Sequence, residues 1–586
     1  MDKKNNELLS SLIYFRVNED FKKNGNKSDE LFYEVWNNIF IRHKIYKHIL
    51  LFISNSIVYF YNRSQYDQFK DKSYISKLEW SGDLPDKNEF PPFLTDFHLY
   101  NLSILPSPTT FPNTITTLTF GDNFNQVIQP YSLPNSLTTL TFGYTFNQVL
   151  SPRTLPNGLT TLKFGTKFNQ IVTPGTLPNS LTTLTFGLEF NQVIKPGTLP
   201  NSLTTIIFDY NFNQVVSPGT LPNNLTTITF GGNFNQVVPP RTLPNSLTTL
   251  TLGKKFNQKV PPGLLPNNLK TLTFGYCFDQ VVIPGTLPNS LTILTFGSSF
   301  NRVVPPGLLP KKLTTITFGD GFNQVFPSGS LPDNLTTLTF GSSFSQVVKP
   351  GTLPNSLTTL TLNYYFDQVV PPGSLPDNLT TLTFGDNFNQ VIQPYTLPNS
   401  LTTLTFGNDF NQKVPPGLLP NGLTTLTFGH SFNQIVPPDT LPNSLTTLTF
   451  GHHFNQVVHP CTLPNSLTTF TLGNDFNQVV LPGTLPNSLT TLTFGHDFDQ
   501  VIPPGTLPNS LTTLTFGPRF KNLVPSNSLP NGNRNKVLTY SCLPPSLETL
   551  NIGSKLINIK QKRILSFIQM QQQKQKKTTA TTSQQD

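Results

Sequence analysis

Charge is scarce in this 586-residue chain: Asp, Glu, Lys and Arg together make up 12% of it. Low charge does not mean disorder here, because 49 Phe supply enough apolar material to bury a core. What charge there is gathers towards the ends. Residues 1–88 carry a net charge of about +2 and residues 551–586 about +6, while the long middle carries about +1 of the total +9. A nucleic-acid binder needs a basic stripe on its working face, so no nucleic acid is expected as a partner of the body. Cysteine is scarcer still. Cys277, Cys461 and Cys542 are odd in number and far apart, so neither a disulfide framework nor a zinc motif follows, and reduced intracellular thiols are expected. No apolar run reaches the roughly 18 residues of a membrane span. Leu8–Phe15 is short and stopped by Arg16, a poor signal peptide. The expected address is therefore cytoplasmic, with no membrane partner. Also missing is any locally unique set of nucleophile, base and orienter, so no catalytic residue, cofactor or metal site is assigned and no enzyme is expected.

What is present is a repeat. From residue 111 to residue 528 the chain divides into 19 units of 22 residues without an insertion or deletion. A typical unit runs from Leu177 to Thr198, and its positions are called places 1 to 22 below. Places 7 to 10, Thr183-Leu184-Thr185-Phe186, alternate polar and apolar, the period of a strand with one buried face. Identical strands stacked in one direction make a parallel ladder with about 4.8 Å between rungs. Leu at places 5 and 8 and Phe at places 10 and 14 are expected to point inward, giving two Phe files as a spine. One unit buries too little apolar surface to offset the entropy of ordering 22 residues, so each must be covered by its neighbours.

Place 11 is Gly in 17 units and Asp209 or Asn363 in the other two, residue types that tolerate positive φ. A left-handed turn is expected there. Asn at place 15, as in Asn125, Asn147 and Asn169, is expected to form a side-chain ladder that satisfies turn backbone of adjacent coils. Pro stands at place 2 and near place 20, so the return segment is extended or turned and not helical. The fold class expected is an all-β repeat solenoid, a parallel β stack of about 19 regular coils plus degenerate caps, with a small helical N-terminal region.

The expected boundaries are residues 1–88 for a partly helical N-terminal region and 89–110 for a degenerate first repeat. Residues 111–528 hold the regular repeats, 529–559 a degenerate C-terminal cap, and 560–586 a Lys/Gln/Thr-rich tail left disordered. Apolar residues at helical spacing over 31–53 predict an amphipathic helix, with more helix or strand to about residue 80.

The unit, with its Phe-Asn-Gln-Val core and Leu-Pro opening, resembles the FNIP repeat, a leucine-rich-repeat-like family. Leu181, Leu184 and Phe186 are similar in spacing to the leucine-rich-repeat strand consensus. The usual Asn three residues past the strand is replaced by the later Phe190-Asn191, which leaves curvature open. The resemblance implies a protein–protein contact role, and in several members an F-box-like N-terminal helix region. Residues 28–60, with Ile39-Phe40, are a candidate for such a region. It would make the chain the substrate receptor of a ubiquitin ligase, bound to a Skp1-type adaptor. The alternative is a helix that covers the first coil.

Two surfaces could carry function. Places 12 and 13, after the Gly, vary freely while their neighbours hardly change. They supply Tyr144, Glu189, Tyr210, Lys254, Lys255, Tyr276, Tyr364, Tyr365, His430, His452, His453, Asp475, His496 and Asp497. A solvent-exposed ridge whose chemistry changes along the stack is expected to bind a protein of unknown identity. Stacking could bring some of those His and Asp residues within metal-ligand reach, but solvated loop residues are the commoner case. The second surface is the Thr array of places 7 and 9. It is similar to ice-binding lattices, and equally to an ordinary solvated strand face of β-branched residues. A purely structural scaffold remains a further alternative.

Overall fold

A Thr-Leu-Thr stretch typically forms a three-residue strand, with one buried side chain between two half-buried threonines. A pleated, half-solvated position suits β-branched threonine. The computed structural model describes residues 39–558 apart from 83, 102–110, 504, 522, 525–537 and 540–542. The tail at 560–586, residues 28–38 of the F-box-like candidate and most of the irregular stretch 529–542 lie outside the described residues. The chain divides into two compact units, residues 1–187 and 188–586, each a parallel β-solenoid.

In the first unit the ladder starts before the 22-residue pattern does. Helix α1 (Ile39–Asn55) is followed by strand β1 (Ile57–Phe60), helix α2 (Arg63–Gln68), strand β2 (Lys77–Ser81) and strand β3 (Asp96–Asn101). Parallel pairing joins Ile57 to Lys77, Lys77 to Asp96 and Asp96 to Thr117, steps of 20, 19 and 21 residues. Only then does Thr117 opposite Thr139 set the step of 22. These first rungs carry a different aromatic cluster: Tyr66, Trp80 and Phe97 are fully buried, and the Tyr66 ring lies 5.2 Å edge-on from Trp80. Burial pushes the Tyr66 phenol up to about 12, and its hydroxyl donates to the Glu89 carbonyl. Within α1, Phe52 meets Tyr74 and Phe93 edge-on at 5.0 and 5.6 Å, so this helix packs against the first coils.

In the second unit, strands from Thr205–Ile207 to Thr513–Phe516 pair in parallel with equivalent residues opposite. The last of them pairs with Thr549–Ile552, 36 residues on, and Lys555–Asn558 folds back antiparallel on that strand. The degenerate copy at 543–553 thus continues the ladder after an insertion.

The core of each unit is a set of columns. In the coil that opens at Leu287, the side chains of Leu287, Leu291, Leu294, Phe296, Phe300 and Val304 are all buried. Phe296 stacks on Phe274 and Phe318 at 5.6 and 5.4 Å, and Phe300 on Phe278 and Phe322 at 6.1 and 6.2 Å. Inside the coil the two rings are 4.0 Å apart, so the files touch along their length.

The glycine at place 11 does not do what its pattern suggested. None of these glycines has positive φ; the left-handed residues are at place 21 instead, Gly197 at φ 79° and Gly307 at 80° among them. Place 11 is small because successive coils meet backbone to backbone there. A Cβ on Gly297 would fall on the carbonyl of Gly275, and one on Gly451 on the carbonyl of Gly429. Why Asn363 is accepted at this place, nothing in the structure explains. At place 21 the Thr198 N–H donates to the Lys195 carbonyl across Pro196-Gly197, with Pro second and a left-handed residue third, the pattern of a type II turn. Tyr131, Arg153, Arg241, Tyr395, Asp439 and Cys461 hold the same conformation at φ 62–66°.

The place-15 ladder is present. Asn235 accepts from the Asn257 N–H at 2.9 Å and from the Gln258 amide at 3.1 Å, and Asn257, Asn411 and Asn433 serve the next coils in the same way. Place-6 threonines add a third ladder, as where Thr314 Oγ1 donates to the Thr292 carbonyl at 3.1 Å.

Candidate interaction surface

Two residues separate the place-11 turn from the buried Phe of place 14, too few to return to the core, so places 12 and 13 stand outside it. The Phe300 N–H donates to the Gly297 carbonyl and closes the turn at 3.0 Å. The loop is also tied from coil to coil. The N–H of place 13 donates to the place-12 carbonyl of the coil before: Lys255 to Gly232, Cys277 to Lys254, Ser299 to Tyr276, Tyr365 to Ser342 and His453 to His430, all at 2.8 Å. The backbone of this ridge is a ladder as regular as the strands, although it carries the most variable side chains.

Tyr144, Tyr210, Lys254, Lys255, Tyr276, Tyr364, Tyr365, His430, His452, His453 and His496 are exposed, and Glu189, Asp475 and Asp497 are half-buried. In the first unit the Lys167 ammonium lies 5.7 Å from the centre of the Tyr144 ring. In the second, Tyr364 and Tyr365 meet edge-on at 4.8 Å. The Asp320 carboxylate accepts from the hydroxyls of Ser342 at 2.9 Å and Ser298 at 3.2 Å, and the Ser342 bond holds its carboxyl below the usual carboxylate range.

Further along, the ridge gathers its imidazoles. His453 Nδ1 is 2.7 Å from Asp475 Oδ2, His452 Nδ1 is 3.4 Å from Asp475 Oδ1, and the His430 and His452 rings are 5.9 Å apart. His496 Nδ1 bonds Asp497 at 2.6 Å and holds its carboxyl below the usual range, with the Arg519 guanidinium 3.1 Å away. Among the described residues, Tyr210, Lys254, Lys255 and Tyr276 make no such group.

One surface was missed in the pattern of the sequence. Place 17 is Val or Ile in nearly every coil, and in the second unit Val215, Val237, Val281, Val303, Val325, Val347, Val369, Val391, Ile435, Val457 and Val479 are between 40% and 64% exposed. The signal was there: places 17 and 18 are both apolar, and on an extended chain adjacent side chains face opposite ways. Val304 is buried, so Val303 is not. Lys259 and Lys413 interrupt this apolar stripe. Among the described residues no helix is long and apolar enough to cross a membrane.

A family model described as FNIP Repeat matches ten consecutive segments over residues 100–534, most of them two coils long. A curated FNIP repeat-containing protein of Dictyostelium discoideum is 36% identical over 103 residues, 17% of this chain and 23% of that protein's own length. Among solved structures, CroV588, described as a novel circular LRR protein, aligns at TM-score 0.68 and 43% identity over 82% of this chain and 79% of its own. YopM from Yersinia enterocolitica aligns at TM-score 0.38 and 20% identity over 80% and 88%.

Proposed function

This chain belongs to the FNIP repeat family, and on that footing we propose that it is a non-enzymatic scaffold that holds a protein partner along the ridge of places 12 and 13. The observation that carries this reading is the contrast within the ridge. Its backbone is pinned coil to coil by main-chain hydrogen bonds, while its side chains are exposed or half-buried and differ from coil to coil. A surface already ordered before binding loses little entropy in the complex. Changing chemistry on a fixed period suits one extended partner rather than many copies of one small ligand. The Val stripe supplies apolar area on the same coils.

Affinity capture with the full chain tests the reading against a variant in which Tyr364, Tyr365, His452 and His453 are all changed to Ser. The partner should be lost while the free energy of unfolding stays within about 0.5 kcal/mol of the native chain, because these side chains lie outside the core. Capture that survives this variant and is lost when Val303, Val325 and Val347 become Lys would move the contact to the stripe and contradict the ridge.

The N-terminal helix bears on the finer question of a Skp1-type adaptor. None of the described α1 side chains is fully buried, so the helix keeps an accessible face while it packs on Tyr74 and Phe93. Capture of such an adaptor by the full chain would add a ubiquitin-ligase role to the scaffold; no capture removes that role and leaves the ridge reading as it is.

A further inference from the structure

We propose that His452, His453 and Asp475 form a binding site for one divalent metal ion of the zinc class. One donor atom from each lies within 4.8 Å of the others: an imidazole nitrogen, a second imidazole nitrogen and a carboxylate oxygen. Bonds of about 2.0–2.2 Å in a tetrahedral arrangement put neighbouring donors about 3.3–3.6 Å apart. The two His–Asp separations, 3.4 Å to Asp475 Oδ1 and 2.7 Å to Asp475 Oδ2, lie at and below the lower end of that spacing.

The donors are held on a stiff base. His453 N–H bonds the His430 carbonyl at 2.8 Å and Asp475 N–H bonds the His452 carbonyl at 2.9 Å. Directly beneath, Phe454 and Phe476 are buried and stacked at 6.1 Å. The backbone geometry of the site is thus fixed by the solenoid before any ion arrives, and only side-chain torsions adjust. As the ion takes His453 Nδ1 and Asp475 Oδ2, the hydrogen bond between those atoms is given up and the neutral imidazole carries its single proton on Nε2, with no change of oxidation state. Three protein ligands leave a fourth position open. A groove of about 450 Å³ beside His430, His452 and Asn474 gives it access to water or to a side chain from outside.

Two imidazoles with one carboxylate favour zinc, nickel, copper or cobalt over magnesium and calcium, which need oxygen donors. The nearby His496–Asp497 pair shows what the site requires. It has one imidazole only, and the Arg519 guanidinium 3.1 Å from Asp497 already supplies the positive charge. The inference does not depend on the identity of a protein partner.

The test is calorimetric titration of the full, tag-free, metal-stripped chain with Zn²⁺, followed by Co²⁺ as a spectroscopic probe. The expected result is one saturable equivalent that Mg²⁺ does not displace, with cobalt showing the visible bands of a low-coordinate nitrogen–oxygen site. Loss of even an outer-shell partner typically costs 10-fold or more in affinity, so His453→Ala and Asp475→Ala should each weaken binding by at least about 10-fold. His496→Ala should bind as the native chain does. The altered side chains are exposed or half-buried, and an unchanged unfolding midpoint shows that each variant is folded. No saturable binding by the native chain, or binding undiminished in the His452→Ala/His453→Ala double variant, would overturn the proposal.

Discussion

Phe300 stands in its file between Phe278 and Phe322 and touches Phe296 of its own coil, with 1% of its surface exposed. Phe300→Ala should therefore cost about 3–5 kcal/mol in denaturant unfolding, because the neighbouring coils cannot close over the hole without breaking their own ladders. Ser298→Ala and Ser299→Ala, two and one residues away on the ridge, should cost less than about 0.5 kcal/mol. A reversed ranking would contradict the inside and outside assigned to the coil. Place 22 makes a subtler case. Thr220 is 3% exposed and its hydroxyl has no hydrogen-bond partner among the described residues, while Leu264, Leu308 and Leu418 occupy the same place in other coils and are buried too. Thr220→Val should raise stability by ~1 kcal/mol, since a buried hydroxyl without a partner costs desolvation and returns nothing. A loss of similar size would mean the hydroxyl is satisfied after all. The Leu and Phe columns were legible in the sequence because packing repeats with the period of the coil and each place has one job. Place 22 was not, because Thr reads as a polar residue until its burial is known.

At the scale of the coil, two glycines that look alike in sequence act for different reasons. Asp209 and Asn363 at place 11 pointed to a left-handed backbone, but the positive φ lies at place 21, where Arg153, Arg241 and Tyr131 adopt it as well as Gly. Place 11 needs the absence of a side chain, a demand set by the coil below and so invisible in any one unit. Place 21 needs a torsion, which an L-residue adopts at a modest cost that the surrounding turn overrides. Gly297→Ala should destabilise by about 2 kcal/mol or more, because its Cβ falls on the backbone of Gly275. Gly307→Ala has nothing within 4 Å of the new carbon and pays only for φ 80°, about 1–2 kcal/mol. Unfolding midpoints of the two variants should rank in that order; equal midpoints would contradict the steric account of place 11. The ridge was legible as the place where identity varies. The meeting of His452 and His453 with Asp475 was only a matter of reach, because donor distances depend on side-chain directions that the 22-residue period leaves open.

Over the whole molecule the coil is the unit of structure but not of stability. In each unit, strands, place-13 loops and place-15 asparagines all bond to the coil before, and the place-14 Phe file runs from coil to coil, while Leu252, Leu362 and Leu472 interrupt the place-10 file. Such an array behaves as a chain of nearest-neighbour interfaces. The same coupling gives the ridge its fixed register, on which both the partner reading and the metal site depend. Hydrogen exchange of the full chain with and without Phe300→Ala measures this coupling directly. The Asn301 and Asn323 N–H groups, bonded to Asp279 and Asn301 side chains at 3.0 Å, report the coil and its successor. Protection of these amides, and of the strand amides of the coils on both sides, should fall together. Loss confined to the coil of Phe300, with its neighbours as protected as in the native chain, would contradict the claim that no coil is stable alone.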